Sequence, residues 1–249
     1  MEIAFLGTAC AEPTAEIGFT SFLVDTGKHL ILVDASGNPA QSILKANREP
    51  LALDIVVLTH FHADHIAGYP ALIQTLSCMN RAQALTVVAS RVTGTKAEQL
   101  LQVLEIDAAN TTFPIQYEDR YKDSSFEIRL LAGNHSVPTS MVAIHSQQSR
   151  FLYTSDTAFT PGIAESARGY PTLIHEATFE NSRAGEPGNE AHSSGYQAGL
   201  VAAAAEVQRL FLCHICLHKY ADPTAIAEEA RSAFQGEIVV PEPFTWYSF

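Results

Sequence analysis

Along the first third of the chain, short apolar runs are cut by turn residues, the pattern of a strand-rich segment. Residues 3–6 close at Gly7-Thr8, residues 20–24 at Asp25-Thr26-Gly27, and residues 30–33 at Asp34. A helix is predicted over 39–47, a strand over 53–58, an apolar helix over 69–76 and a strand over 85–89. In a helix predicted over 95–105, Ala97, Leu100, Leu101 and Leu104 recur at the spacing of one buried face. After Thr112 the alternation resumes, with strands over 126–131, 141–145 and 150–154, a helix over 162–167 and a strand over 172–174. An Ala-rich helix over 195–206 is opened by Ser193-Ser194 as caps, and a strand over 210–212 and a helix over 223–234 follow. Strands followed by helix in each half, with no linker between them, predict one domain over 1–249 built of two packed sheets with helices outside.

The pattern is broken most sharply directly after the run Ile55-Val56-Val57-Leu58. Residues 59–65 read Thr-His-Phe-His-Ala-Asp-His, three histidines and an aspartate in six residues. Packing does not explain that density at a strand end. In an extended exit from the strand, His60 and His62 point the same way. Asp64 and His65 follow as the chain turns, and Gly68 and Pro70 mark the bend. Imidazole and carboxylate are ligands for Zn²⁺, Mn²⁺ or Fe²⁺, and their number here suggests two adjacent ions, with zinc the first expectation. Further acids and histidines fall where other strands end: Asp34, His135, Asp156, the pair His175-Glu176, and His214.

Composition narrows the rest. A chain of 249 residues with 47% hydrophobic and 17% charged residues can bury a large core. The net charge of −12 and the lack of any basic block argue against a broad nucleic-acid surface. Cysteines at 10, 78, 213 and 216 are scattered, and a core this size needs no staples, so Cys213 and Cys216 are expected as thiols flanking a buried strand end. Neither a signal peptide nor a membrane-length apolar stretch is evident, and a reducing cytoplasm is the expected setting. No G-x-S-x-G element or Walker lysine is present to support serine or nucleotide chemistry.

In this order the motifs resemble the metallo-β-lactamase superfamily, whose hallmark H-x-H-x-D-H is here His60, His62, Asp64 and His65. Within it, the chain is most similar to ribonuclease Z and its relatives over nearly its whole length. Phe5-Leu6-Gly7-Thr8 with Pro13-Thr14, Ile31-Leu32-Val33-Asp34, His135-Ser136-Val137-Pro138, Tyr153-Thr154-Ser155-Asp156-Thr157, His175-Glu176-Ala177-Thr178-Phe179 and Ala191-His192-Ser193-Ser194 carry that resemblance. It implies the metallo-β-lactamase fold, an α+β four-layer αββα sandwich, with the site in a shallow groove. His60, His62 and His135 would hold one ion, Asp64, His65 and His214 the other, and Asp156 would bridge them. Two such ions can generate a hydroxide nucleophile and stabilise a developing oxyanion. His192 would donate a proton to the leaving group, with Glu176 fixing and charging it, so that Asp64, Glu176 and His192 are the catalytic candidates. Asp34 either orients a ligand such as His60 or its neighbours, or caps a turn after its strand. Ser136 and Thr157 stand beside ligands as supporting or substrate-contacting residues.

Departures from the family narrow the substrate. Ribonuclease Z enzymes commonly carry an inserted arm that grips transfer RNA between the third metal histidine and the bridging aspartate. Here Asp156 follows His135 by only 21 positions, which leaves no room for it. The family's H-F-S-x-R-Y is replaced by His214-Ile215-Cys216-Leu217-His218-Lys219-Tyr220, where His218 or Lys219 would meet a substrate oxyanion or be merely solvated. The leading expectation is a two-metal phosphodiesterase acting on a small or flexible substrate rather than folded transfer RNA. Transfer-RNA 3′ processing, hydrolysis of sulfate esters or lactones, and a non-catalytic metal-binding accessory role are the alternatives. The resemblance also allows a homodimer.

Overall fold

The computed structural model describes residues 1–106, 110–147, 149–220 and 222–249. The amino-terminal half builds a sheet from β1 (Glu2–Gly7), β2 (Ser21–Asp25), β3 (Leu30–Val33), β4 (Leu53–Leu58), β5 (Leu85–Ala89) and β6 (Ile115–Glu118). The second half builds another from β7 (Arg120–Lys122), β8 (Phe126–Ala132), β9 (Ser140–Ser146), β10 (Arg150–Tyr153), β11 (Thr172–Glu176), β12 (Arg209–Cys213) and β13 (Glu237–Val239). The last strand, β14 (Trp246–Ser248), crosses back to pair antiparallel with β1. The strand orders are β14-β1-β2-β3-β4-β5-β6 and β13-β12-β11-β10-β9-β8-β7. Both sheets are mixed: β3 to β6 run parallel, as do β10 to β13, while the remaining pairs are antiparallel.

Alternation along the strands decides the layers. Ile3, Phe5, Phe22, Val33 and Val57 of the first sheet meet Ile144, Phe151, Tyr153, Ile174 and Phe211 of the second in one buried cluster. Aromatic rings bridge the two sheets, Phe22 to Tyr153 at 5.0 Å and Phe5 to Phe211 at 5.7 Å. Edge-to-face and offset pairs of this kind add to the area they bury. The opposite face of the first sheet is covered by α1 (Pro39–Lys45), α3 (Tyr69–Cys78) and α4 (Arg91–Val103), and α2 (Ala63–Ile66) is the single turn between β4 and α3. α5 (Pro161–Ala167), α6 (Gly195–Ala204) and α7 (Ala225–Arg231) cover the second sheet. This is the expected αββα sandwich.

Local signals account for most boundaries. Ser194 opens α6 with a capping box, its hydroxyl accepting from the Gln197 amide while the Gln197 side chain accepts from the Ser194 amide. The expected start of α4 at Thr95 is four residues late, because Ser90 caps the helix through the Thr93 amide. Leu104 is a second correction: it lies past the last turn and is exposed, so the buried face is Thr93, Gly94, Ala97 and Leu101. β6, β7, β13 and β14 were not expected, since each is only three or four residues long and half-exposed at a sheet edge.

The cysteines also differ from expectation. Cys10 and Cys216 form a disulfide across 206 residues of sequence, while Cys78 and Cys213 are free. Backbone pairing of Ala9 with Ile215 brings the two Cα atoms to 5.3 Å. Cys216 is therefore no thiol partner of buried Cys213, and one ground for expecting a reducing compartment falls away. No helix among the described residues is long and apolar enough to cross a membrane.

Candidate metal centre

Every candidate ligand leaves a strand or turn at the same edge of the sandwich. Three of these exits turn through the left-handed region at non-glycine residues: Asp34 (φ 59°) after β3, Ser155 (φ 55°) after β10 and His214 (φ 53°) after β12. That conformation is uncommon outside glycine, and its repetition around one edge shows backbone re-aimed toward a common point. Gly68 lets the corner close. Its amide donates to the Ala35 carbonyl, and a Cβ there would lie 2.7 Å from that oxygen. The Ala35 amide in turn donates to the His65 carbonyl, locking the Asp34 turn against α2.

Two ligand sets result, each with all its donor atoms within 4.8 Å of one another: His60, His62, His135 and Asp156, and Asp64, His65, His214 and Asp156. Asp156 belongs to both. Its carboxylate lies 3.6 Å from His60 Nε2 and 3.8 Å from His135 Nε2 on one side, and 3.4 Å from His65 Nε2 and 3.1 Å from His214 Nε2 on the other. Asp64 Oδ2 lies 3.4 Å from both His65 Nε2 and His214 Nε2. Donors about 2.1 Å from a tetrahedral zinc ion are roughly 3.4 Å apart, so these spacings suit a shared ion in each set. His60 Nε2, His65 Nε2 and Asp156 Oδ1 are buried without a hydrogen-bond partner. Such groups are costly to bury unless something binds them, and the donor chemistry fits divalent metal.

The outward nitrogens are held by two matching relays. Asp34, 1% exposed, accepts from the Thr59 amide, the Thr59 hydroxyl and His65 Nδ1, the last at 2.8 Å. The Thr59 hydroxyl also stands 3.0 Å from His60 Nδ1. With its hydrogen committed to Asp34, that hydroxyl accepts from His60. On the other side Glu176 faces the Thr178 hydroxyl, which stands 2.8 Å from His214 Nδ1. Each carboxylate thus holds one histidine directly and another through a threonine, leaving Nε2 of His60, His65 and His214 with a free lone pair. His135 donates from Nδ1 to the Ala191 carbonyl, and so also presents Nε2. Asp34 thus touches His65 directly and reaches His60 through Thr59, the contacts that the orienting reading calls for. Thr59 and Thr178 lie within the sequence motifs, yet a lone hydroxyl carries no recognisable signal there.

Electrostatics follow from this crowding. Burial, then the neighbouring His65, drives His60 well down, and burial and His135 lower His62. Burial opposes charge on Asp156 and Asp64, but surrounding histidines outweigh it and hold both carboxyls well below the usual range. Glu176 is fully buried and is kept low by His192 against the same burial cost. It accepts from the Thr157 amide, the Ser193 amide and the Thr178 hydroxyl, with His192 Nδ1 3.2 Å from both of its oxygens. Burial lowers His192, yet the Glu176 charge prevails and raises it to about 9. The His192 ring lies 4.9 Å from His135 and 5.2 Å from His214, beside both ligand sets.

The remaining expected residues separate. Thr157 supports the site through its backbone, its amide holding Glu176 and its carbonyl accepting from the Ser193 hydroxyl. Ser136 is exposed next to His135. His218 is exposed and pairs with Glu12 at 2.7 Å. Lys219 stays close enough to His192 for its charge to lower that pKa, and its ammonium donates to Asn189 Oδ1 at 2.6 Å. Buried Asn189, which sequence reasoning missed, also accepts the His192 amide on its carbonyl.

Comparison with known proteins places the fold. A family model described as a beta-lactamase superfamily domain matches residues 21–215. Ribonuclease Z of Haloarcula marismortui is 26% identical over 298 aligned residues, covering 97% of this chain and 94% of the relative. Among solved structures, the metallo-beta-lactamase fold protein YhfI from Bacillus subtilis superposes with a TM-score of 0.84 at 21% identity, covering 99% of this chain and 98% of its own. Human tRNase Z, short form, gives a TM-score of 0.81 at 17% identity, covering 100% and 99%. The family model spans most of the chain and the solved structures share its fold, so the protein belongs to the beta-lactamase superfamily.

Proposed function

We propose that the protein hydrolyses phosphodiesters at a dinuclear centre, held by His60, His62 and His135 on one side, Asp64, His65 and His214 on the other, and Asp156 between. When bound, two divalent ions supply an attacking hydroxide at neutral pH and positive charge for the phosphoryl oxygens. The chain's own residues do the rest. Asp34 and Thr59 hold His65 and His60 in the tautomers that present Nε2, and Thr178 does the same for His214. Lys219 adds positive charge on the rim of the site.

The observation that carries the reading is the Glu176–His192 pair. A histidine kept protonated at neutral pH by a buried carboxylate, beside two ligand sets, is poised to hand its proton to a leaving alkoxide. A protein that only stores or senses metal has no use for that group. Zinc is the first choice of ion from the nitrogen-rich donor set, with manganese or iron as alternatives.

Transfer-RNA 3′ processing is a second reading, favoured by relatives named ribonuclease Z across 97% of this chain. Two observations favour a smaller substrate. The segment from His135 to Asp156 is filled by β9 and β10, an antiparallel pair with a short turn. An alignment of 298 positions that covers 97% of a 249-residue chain leaves more than fifty positions of the relative without a counterpart. The deciding experiment measures metal content, then turnover of bis(p-nitrophenyl) phosphate beside arylsulfate and lactone panels and precursor transfer RNA. Two ions per chain and phosphodiester turnover are expected. A folded protein that takes up no metal would sink the proposal.

A further inference from the structure

His192 stands at the end of a loop with little core of its own. Across 184–190 every residue is exposed except Asn189, which is 2% exposed. The backbone there is a run of turns. The Glu186 amide donates to the Arg183 carbonyl, the Asn189 amide to the Glu186 carbonyl, and the His192 amide to the Asn189 carbonyl. Segments with so few buried apolar contacts open locally at low cost. Misplacing a reacting group by about 1 Å can cost about 100-fold in rate. The Glu176 carboxylate, 3.2 Å from Nδ1, fixes the His192 ring but not the loop that carries it.

Asn189 ties that loop down, and each of its polar groups has a partner. Besides its two backbone bonds, its Nδ2 donates to the Arg183 carbonyl at 2.8 Å and its Oδ1 accepts from the Lys219 ammonium at 2.6 Å. A buried amide satisfied in this way has one favoured orientation. Lys219 comes from a different part of the chain, the short 3₁₀ turn Leu217–Lys219 that follows the candidate ligand His214. That turn is firmly placed: Cys216 is bonded to Cys10, its amide donates to the Thr178 carbonyl, and the Lys219 carbonyl accepts from the Glu180 amide.

Resting on the proposed phosphodiesterase reading, we infer that Lys219 and Asn189 are a positioning pair for His192, the ammonium clamping the Asn189 side chain while the Asn189 carbonyl holds the His192 amide. The proton donor is then in place before a substrate arrives, with no help from a bound macromolecule. Glu176 takes Nδ1, so Nε2 carries the proton that passes to the leaving oxygen as its bond to phosphorus breaks. Water adds to phosphorus, a phosphomonoester and an alcohol or phenol leave, and His192 regains its proton from solvent. A strongly basic leaving oxygen depends on that proton, and a weakly basic one does so far less.

Methyl p-nitrophenyl phosphate and methyl phenyl phosphate test this, since they share the methyl phosphoryl group and phenolate is the more basic leaving group. The metal-loaded parent is compared with Lys219→Met, Asn189→Ala and the double variant. Lys219 is half-buried, and methionine keeps most of its aliphatic stem, which spares the packing. In each single variant the ratio of kcat on the p-nitrophenyl ester to kcat on the phenyl ester should rise about tenfold or more, because the loss falls on the ester that needs the proton. The double variant should lie within about twofold of the weaker single one, since both substitutions open one clamp. Equal losses on both esters in Lys219→Met overturn the inference and mark Lys219 as a direct contact of the phosphoryl oxygens. Losses that multiply in the double variant also overturn it. Hydrogen exchange of the peptide covering 184–192 reads the clamp without turnover: exchange about tenfold faster in Lys219→Met supports it, and protection equal to the parent overturns it. A parent that cleaves neither ester would count against the phosphodiesterase reading, while the exchange measurement still decides the clamp.

Discussion

Asp34→Asn isolates the relay that sets histidine tautomers. Asparagine tolerates the left-handed backbone that Asp34 adopts at φ 59°, so the turn survives and only charge and donor pattern change. In the parent, Oδ2 accepts from both the Thr59 hydroxyl and His65 Nδ1. An amide nitrogen in that place donates to both. The Thr59 hydroxyl must then turn its hydrogen toward His60 Nδ1, and His65 Nδ1 must become an acceptor, which moves both ring protons to Nε2. Those are the nitrogens aimed at the metal centre. Loss of one such supporting partner lowers metal affinity about 10–100-fold. If the two histidines contribute independently, the combined loss is about 10²–10⁴-fold, or roughly 3–5 kcal/mol. Competition against a chromophoric chelator measures it, with thermal unfolding of the metal-free protein as the control for folding. Affinity within about twofold of the parent, in a variant that folds normally, would refute the tautomer argument.

Other outcomes follow from the same geometry. His192→Ala should cut turnover of alkoxide-leaving phosphodiesters about 10²–10⁴-fold with metal content unchanged, as a stopped assay with paired metal analysis would show. The His192 pKa is raised to about 9, so the proton donor is present at neutral pH and lost as pH rises through that value. Activity should therefore fall on the alkaline side near pH 9, and Glu176→Gln should move that limb downward toward the ordinary histidine value in a pH–rate profile. Chelating the metal should lower the thermal unfolding midpoint, because His60 Nε2, His65 Nε2 and Asp156 Oδ1 are left buried and unpartnered. Reducing the Cys10–Cys216 bond, which closes 206 residues of chain, should destabilise the fold by up to about 5 kcal/mol on loop entropy. Thiol titration of the unreduced, unfolded protein should count two free thiols.

The ligand cluster was legible in sequence because its chemistry conflicts with its position: three imidazoles and a carboxylate at the end of a buried strand satisfy no packing rule. The paired sheets were equally legible, since period-two alternation and turn residues are local properties of the chain. His218 and Lys219 were adjacent and chemically alike on paper, and only the fold showed one turned toward Glu12 and the other toward Asn189 beside His192. Edge strands such as β13 and β14 depend on partners far away in the chain, and three residues carry no periodicity of their own. The Cys10–Cys216 bond likewise needed Ala9 and Ile215 to pair before any closeness existed.

What the sequence by itself determined, then, was which side chains are the candidate metal ligands and the alternation that packs the two sheets together. What only the tertiary structure decided was their protonation pattern. Thr59 and Thr178 act because two folded turns place a hydroxyl between a buried carboxylate and a histidine, and a hydroxyl has no direction until both of its neighbours are fixed in space.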